Sequence, residues 1–347
     1  METAGGGGSI SRKPAEAAVR ILFSSHFFPP GIGGIEEVGG ILAHEFTRAG
    51  HEVIVITQTR EQTGPLPFEV RRAPRPSELP LLTRWSDVVF HNNISLRTAW
   101  PLALTRRPWV VAHHTWIARS SDRLALEDRL KLRAIRHARN IDVSNALAAS
   151  LPVLARVIPN PYREEVFRLA NEGTRKGEVI CVGRLVSDKG VDVLLEALAR
   201  VKGRAVTIVG DGPERAALEA LARRLGVEAR FTGALRGAEI AALLNQHKLL
   251  VAPSRWEEPF GIVALEAMAC GCVPVVARAG GLPEAVGDAG VIFEKGNATA
   301  LAECLGGLLG DEPRLAELRL RAPAHLARHR PAGIAAQYLE VIEEAAR

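Results

Sequence analysis

Twice along this chain a short apolar strand runs into a glycine-bearing loop that opens a helix. The first instance is Val19 to Ser24 (VRILFS), then His26-Phe27-Phe28-Pro29-Pro30-Gly31-Ile32-Gly33-Gly34, then Ile35 to Ala49. In that last stretch Ile35, Val38, Ile41, Leu42 and Phe46 recur at helical spacing, Gly50 ends the helix, and His51 to Thr57 reads as the next strand. The second instance is Glu178 to Val182, then Gly183-Arg184-Leu185-Val186-Ser187-Asp188-Lys189-Gly190, then a helix from Val191 to Arg200. Strand, loop, helix, strand is a βαβ unit, which demands a parallel sheet. Two such starts in 347 residues predict an α/β chain of two Rossmann-like domains.

Further elements follow the same alternation. Asp87 to His91 and Trp109 to His113 read as strands, Leu96 to Leu104 as a helix, and the proline-rich stretch from Pro65 to Pro80 as irregular. Ile141 to Ser144 and Val153 to Ile158 close the first half. In the second half, strands are expected at Ala205 to Val209, Val227 to Thr232, Leu249 to Pro253, Val273 to Ala277 and Val291 to Phe293. Helices are expected at Glu214 to Leu225, around Glu239 to Leu244, at Ile262 to Ala269, Leu301 to Leu309, Glu312 to Arg328 and from Pro331 to about Ala346. Residues 1–17 lack an apolar signal core and read as a disordered lead.

Composition narrows the class. At 47% hydrophobic and 24% charged the chain is globular, and no apolar run approaches the roughly 18 residues that span a bilayer. Cys181, Cys270, Cys272 and Cys304 lack zinc-ligand spacing and sit among apolar residues, which fits a reduced cytoplasmic protein. The net charge of +5 is uneven: residues 1–170 carry 22 Lys and Arg against 16 Asp and Glu, the remainder 22 against 23. The excess gathers between Arg97 and Arg139. Part of it lies on a helix expected from Ser121 to Ala138, where Arg123, Arg129, Lys131, Arg133, Arg136 and Arg139 surround Leu124, Leu126, Leu130, Leu132 and Ile135. Its apolar side is expected to pack on its own sheet; the alternative is a basic helix resting on a membrane surface. Nothing in this region resembles a nucleic-acid motif.

The chemistry concentrates between Trp256 and Gly281, WEEPFGIVALEAMACGCVPVVARAGG. Pro259-Phe260-Gly261 turns into the helix beginning at Ile262, and such a start exposes unpaired N–H groups and the positive end of the helix dipole, an anion site. Glu258 at its mouth suits a hydroxylated ligand, and Glu266, about two turns in, suits the two hydroxyls of a ribose. Phosphate, sugar and ribose in one crevice describe a nucleotide sugar. A surface glutamate and a paired glutamate on an ordinary helix would give the same spacing. In the 183–190 loop, Arg184 can grip phosphate oxygens bidentately and Lys189 acts as a point charge.

The stretch EEPFGIVALEAMACGCVPVVARAGGLPE resembles the signature of the retaining nucleotide-sugar glycosyltransferases of GT-B fold, the group 1 or family-four set, with its two glutamates eight positions apart. GRLVSDKG resembles the same family's phosphate loop, with Asp188 where Glu is usual, and GDGP (Gly210 to Pro213) matches as a structural turn. The resemblance implies two facing domains, 18–160 for the acceptor and 178–330 for the nucleotide-sugar donor. A linker would cover 161–177, and a last helix, 331–347, would cross back to the first domain. It places Arg184 and Lys189 on the donor phosphates, Gly33 and Gly34 opposite them across the cleft, and Phe260, Gly261, Ile262 and Glu266 on the donor. It also puts a histidine from the first domain on the donor sugar. The pattern of two apolar residues, a small one, any residue and then His fits Val110-Val111-Ala112-His113-His114 through His114, with His113 as the alternative. Val157-Ile158-Pro159-Asn160-Pro161 is similar to the family's interdomain crossing, where Asn-Gly is commoner.

The activity implied is metal-independent transfer of a hexose from a UDP-, GDP- or ADP-sugar to a hydroxyl, with retention and with no cofactor. Asp-x-Asp occurs nowhere in the chain, in keeping with charge neutralisation by side chains. The acceptor implied is a sugar, lipid-linked or phosphorylated, in cell-surface polysaccharide or glycolipid assembly, with contact to the inner membrane leaflet through the basic first domain. Two rivals stand beside this reading: a nucleotide-sugar epimerase of the same architecture, and a non-catalytic nucleotide-sugar binding protein.

Overall fold

The computed structural model describes residues 18–31, 33–62, 64–117, 125–170, 175–201 and 203–347. The expected lead, 1–17, and the first residues of the helix expected from Ser121 lie outside them. The chain forms two parallel sheets covered by helices, as the alternation of motifs requires. The first contains β1 (Arg20–Ser25), β2 (Glu52–Thr57), β3 (Glu69–Arg72), β4 (Val88–Asn92), β5 (Trp109–His113), β6 (Arg139–Asp142) and β7 (Ala155–Val157). Their order is β3-β2-β1-β4-β5-β6-β7. The second contains β8 (Gly177–Val182), β9 (Ala205–Val209), β10 (Glu228–Gly233), β11 (His247–Ala252), β12 (Val273–Ala277) and β13 (Val291–Phe293), in the order β10-β9-β8-β11-β12-β13.

In each sheet the strand order reverses beside the opening strand: β1 pairs with β2 and β4, and β8 with β9 and β11. At such a switch point the loops leave in opposite directions and a crevice opens at the carboxyl ends of the strands. The Gly33-Gly34 loop follows β1 and the 183–190 loop follows β8, so both stand at a switch point.

The core of the first domain gathers Ile21, Phe23, Phe46, Phe90 and Val110. It is closed by the last helix, Pro331–Ala346, through Ile334, Tyr338 and Ile342. The larger second core takes in Val143 and Leu147 from the first domain, and Ile262 packs against both cores. Cys181, Cys270 and Cys272 are buried and Cys304 is partly so, all as free thiols.

Three expectations need correction. The proline-rich stretch is not wholly irregular: it contains β3 and the start of a helix, Leu79–Trp85. β3 is an edge strand, where flanking prolines and charged residues are tolerated because one side needs no partner. The helix expected from Leu96 to Leu104 is two short turns, Leu96–Ala99 and Leu102–Thr105, because Pro101 lacks the N–H needed to continue the first. The basic helix spans Leu126–Ala134 and does not pack its leucines on the sheet: Leu126 is 73% exposed and Leu130 47%, and no residue of the helix is buried. Five of its nine residues are charged, which leaves no apolar stripe wide enough to dock.

Candidate active site

Two loops of the second domain are laid side by side by main-chain contacts. The 183–190 loop is held at its start by the turn after β9, with Gly183 N donating to Val209 O and Leu185 N to Asp211 O. At its end Asp188 O accepts from Arg255 N and Trp256 N. Gly190, at φ +66°, passes so near the next loop that a Cβ there would collide with Pro253 O. This packing brings Lys189 to Glu258: Nζ donates to Oε1 at 2.5 Å, and Ser254 Oγ donates to the same oxygen at 2.6 Å. The Glu258 side chain is only 14% exposed. Arg184 lies on the same loop, exposed to solvent.

Gly280-Gly281 presses on the Glu258 main chain from the other side. Gly281 N donates to Glu258 O at 2.7 Å, and a Cβ on Gly280, which has φ +56°, would collide with that oxygen. The neighbouring Glu257 carboxylate accepts from Gly280 N and Lys295. Glu258 is thus fixed by backbone above and below and by a cation at its tip.

The helix Ile262–Ala269 begins at Gly261, and a Schellman pair closes it, Cys272 N to Ala267 O and Gly271 N to Met268 O. Phe260 does not offer its ring to a ligand: at 2% exposure it is packed 5.6 Å from the ring of His329, so only its main chain remains for the site. Ile262 faces the first domain, where a Cβ on Gly34 would lie 3.4 Å from its Cδ1. One turn on, Glu266 is 8% exposed; burial, with Glu37 adding to it, raises its carboxyl to about 8, against the opposing pull of Arg163. Glu37, on the helix Gly34–Arg48, pairs with Arg163 Nη2 at 2.8 Å.

The first domain brings its loops to this helix. Asn92, at the end of β4, donates to Ile35 O and Ser25 Oγ, both at 3.1 Å, and so ties the start of the Gly34–Arg48 helix to the sheet. The two adjacent histidines have different surroundings. His113 lies within β5, its Nε2 3.0 Å from Asn140 Oδ1, and burial lowers its ring to about 4. His114 follows the strand and is buried; burial, with His113 beside it, lowers it to about 3 against the opposing effect of the Asn160 side chain.

Sequence reasoning missed the contacts that join the domains here. Trp116 Nε1 donates to Glu257 O at 2.5 Å, and Ser144 Oγ to Pro259 O at 2.7 Å. The Glu284 carboxylate accepts from Asn145 N at 2.9 Å, Asn145 Nδ2 at 2.7 Å and Ala146 N at 3.1 Å. Ser144 is legible as a helix cap, a serine after a strand, and its Oγ does accept from Leu147 N. Nothing in the spacing links it to Pro259.

Residues 162–325 match the family model described as "Glycosyl transferases group 1". That match takes in nearly the whole of the second domain. The glycogen synthase of Mycobacterium tuberculosis is 34% identical over 230 residues, 63% of this chain and 52% of that protein. A GDP-mannose-dependent alpha-(1-6)-phosphatidylinositol monomannoside mannosyltransferase of Mycolicibacterium smegmatis is 38% identical over 155 residues, 40% of each chain. The chain therefore matches about half the length, or less, of these curated relatives. Among solved structures, HepE of Anabaena in complex with UDP superposes with a TM-score of 0.81 at 23% identity, covering 94% of this chain and 100% of that one. The sucrose-phosphate synthase of Thermosynechococcus elongatus gives 0.79 at 21% identity, covering 94% and 99%. At those identities the likeness is one of fold, and the fold is GT-B. Every second-domain residue with a side chain in the candidate site, from Arg184 to Glu284, falls within the group 1 match.

Proposed function

We propose that this protein transfers a hexose, with retention, from a nucleoside-diphosphate sugar to a hydroxyl acceptor in cell-surface polysaccharide or glycolipid assembly. The observation that carries this reading is the meeting of Lys189 with Glu258 at the start of the Ile262–Ala269 helix, with Glu266 buried one turn inside. When the bond from the anomeric carbon to the β-phosphate breaks, negative charge collects on the departing diphosphate. Lys189, Arg184 and the first amides of that helix are the donors that stabilise it. Glu258 holds hydroxyls of the donor sugar, Glu266 those of the ribose, and Gly33-Gly34 lines the facing wall. His114, buried just past the end of β5, is the first-domain group offered to the sugar. Attack comes from the face the leaving group vacates, and the departing phosphate takes the acceptor's proton.

A thermal-shift screen against UDP, GDP and ADP sugars tests the donor site, since a ligand bound only by the folded state raises its melting temperature. With the cognate donor in hand, Glu258→Ala is expected to abolish transfer while leaving the fold intact. Near-normal turnover in that variant refutes the assignment. Transfer is also expected to survive EDTA, because side chains carry the neutralising charge. Hydrolysis or epimerisation of the donor with no acceptor product would select the epimerase instead.

The exposed Leu126 and Leu130, on a helix carrying Arg129, Lys131 and Arg133, favour contact with an anionic membrane face on the cytoplasmic side. No helix among the described residues is long and apolar enough to cross a membrane. Co-sedimentation with phosphatidylglycerol vesicles, lost in Leu126→Glu/Leu130→Glu, is the expected result.

A further inference from the structure

Glu258 lies in the middle of three residues whose main-chain carbonyls are bound from alternate sides. Glu258 O accepts from Gly281 N, inside its own domain. The carbonyls before and after it are bound by the other domain: Glu257 O by the Trp116 indole and Pro259 O by the Ser144 hydroxyl. The first domain thus grips the segment on both sides of Glu258 without touching its carboxylate.

The two grips are themselves well anchored. Trp116 packs against the second core, and Val143 and Leu147, close to Ser144 in the chain, are buried in it. The short helix Asn145–Ala148 is held at its first amides by Glu284. Glu284 follows Gly280-Gly281 by three residues, so the element that clamps Glu258 O also clasps the element that carries Ser144.

We propose that Trp116 and Ser144 are positioning residues for Glu258. Closure of the two domains fixes the 257–259 backbone, and with it the carboxylate that Lys189 and Ser254 share, so that the sugar-holding group is set only when the first domain is in place. Of the nucleotide's contacts, Arg184 and Glu266 do not run through these two bonds, and Lys189 and the amides of the Ile262–Ala269 helix belong to elements held within the second domain. Loss of either bond therefore slows transfer without weakening nucleotide binding. This rests on the reading of Glu258 as the group that holds the donor sugar.

The test compares the full-length protein with Trp116→Phe, which keeps an aromatic ring and removes the donor, and with Ser144→Ala and Ser144→Thr. Hydrogen exchange is followed in peptides covering 255–262 and 279–282, together with kcat, KM and the Kd for UDP, GDP and ADP. Ser144 also caps its helix, so Trp116→Phe is the deciding variant. Faster exchange in those two peptides is expected, with β8 and β9 unchanged. Turnover should fall by about tenfold to a hundredfold, the scale of small misplacements of a reacting centre. Nucleotide Kd should stay within about twofold, and Ser144→Thr should restore much of the loss. Unchanged exchange in Trp116→Phe overturns the proposal, and so does a nucleotide affinity that falls in step with kcat. Should the wild type transfer no sugar while Trp116→Phe still loosens these peptides, the transferase reading fails and the hold of the first domain on the Glu258 segment stands.

Discussion

A carboxyl group buried as deeply as that of Glu266 keeps its proton far above the pH at which an exposed glutamate loses it. Its folded value, about 8, lies above the ordinary 4.5, so the folded state holds a proton that the unfolded chain has released. Its contribution to stability is complete below pH 4.5 and lost as the pH rises toward and through 8. Glu266→Gln is neutral throughout. Its melting temperature should therefore approach that of wild type at pH 4.5 and exceed it increasingly up to pH 9, while its nucleotide affinity drops. A difference that does not change with pH would contradict a buried, proton-retaining Glu266. On the proposed mechanism Lys189→Ala removes a donor to the departing phosphate and should lower turnover by roughly 10²–10³, read in steady-state kinetics. At this scale the motif residues were legible because short spacings define them: Arg184 and Lys189 share a loop, and Glu258 and Glu266 flank a helix start. Ser144, Trp116 and Glu284 were not, because their partners lie 115, 141 and 139 residues away. Only the closed arrangement of two domains brings them together.

Elements whose local sequence and packing agree were read nearly to the residue: the strands Trp109–His113 and Val273–Ala277 and the helices Val191–Arg200 and Ile262–Ala269 stand where apolar spacing put them. The misses fall where packing asks little of the chain. β3 needs a partner on one side only, and the Leu126–Ala134 helix packs on nothing that buries it. Two glycines show what an element demands of its residues. Gly280, in the left-handed region and against Glu258 O, cannot take a side chain without moving the segment it clamps. Gly280→Ala should cost about 1–3 kcal/mol in denaturant unfolding and most of the activity. Gly306 lies inside the helix Ala298–Leu309, and a methyl group added there would meet nothing within 4 Å. Gly306→Ala should raise stability by about 0.5–1 kcal/mol and leave activity alone.

The molecule as a whole carries an acid sensitivity built from its interior. Burial lowers His91 and His114 to about 3 and His329 to about 4, below the 6.5 of an unfolded chain. The stability these neutral rings confer is present above pH 6.5 and lost as the pH falls through 6.5 toward 4, because the unfolded chain takes up protons that the fold refuses. His113, lowered to about 4, adds to this loss, while Glu266 and Asp142, which burial raises to about 8 and about 7, work in the opposite sense but are outnumbered. The melting temperature should therefore decline between pH 6.5 and 4, and His329→Gln should make that decline shallower in a pH series of thermal scans. The same interior also sets an order of assembly. Tyr338 stacks edge-on against Phe90 at 5.9 Å, and Ile334 and Ile342 are wholly enclosed by the first sheet, although the whole second sheet separates them from it along the chain. A nascent chain leaving the ribosome must therefore carry a half-covered sheet until the entire second half has emerged behind it. Stopping translation before Pro331 should yield an insoluble product, for the lid of the first half arrives last.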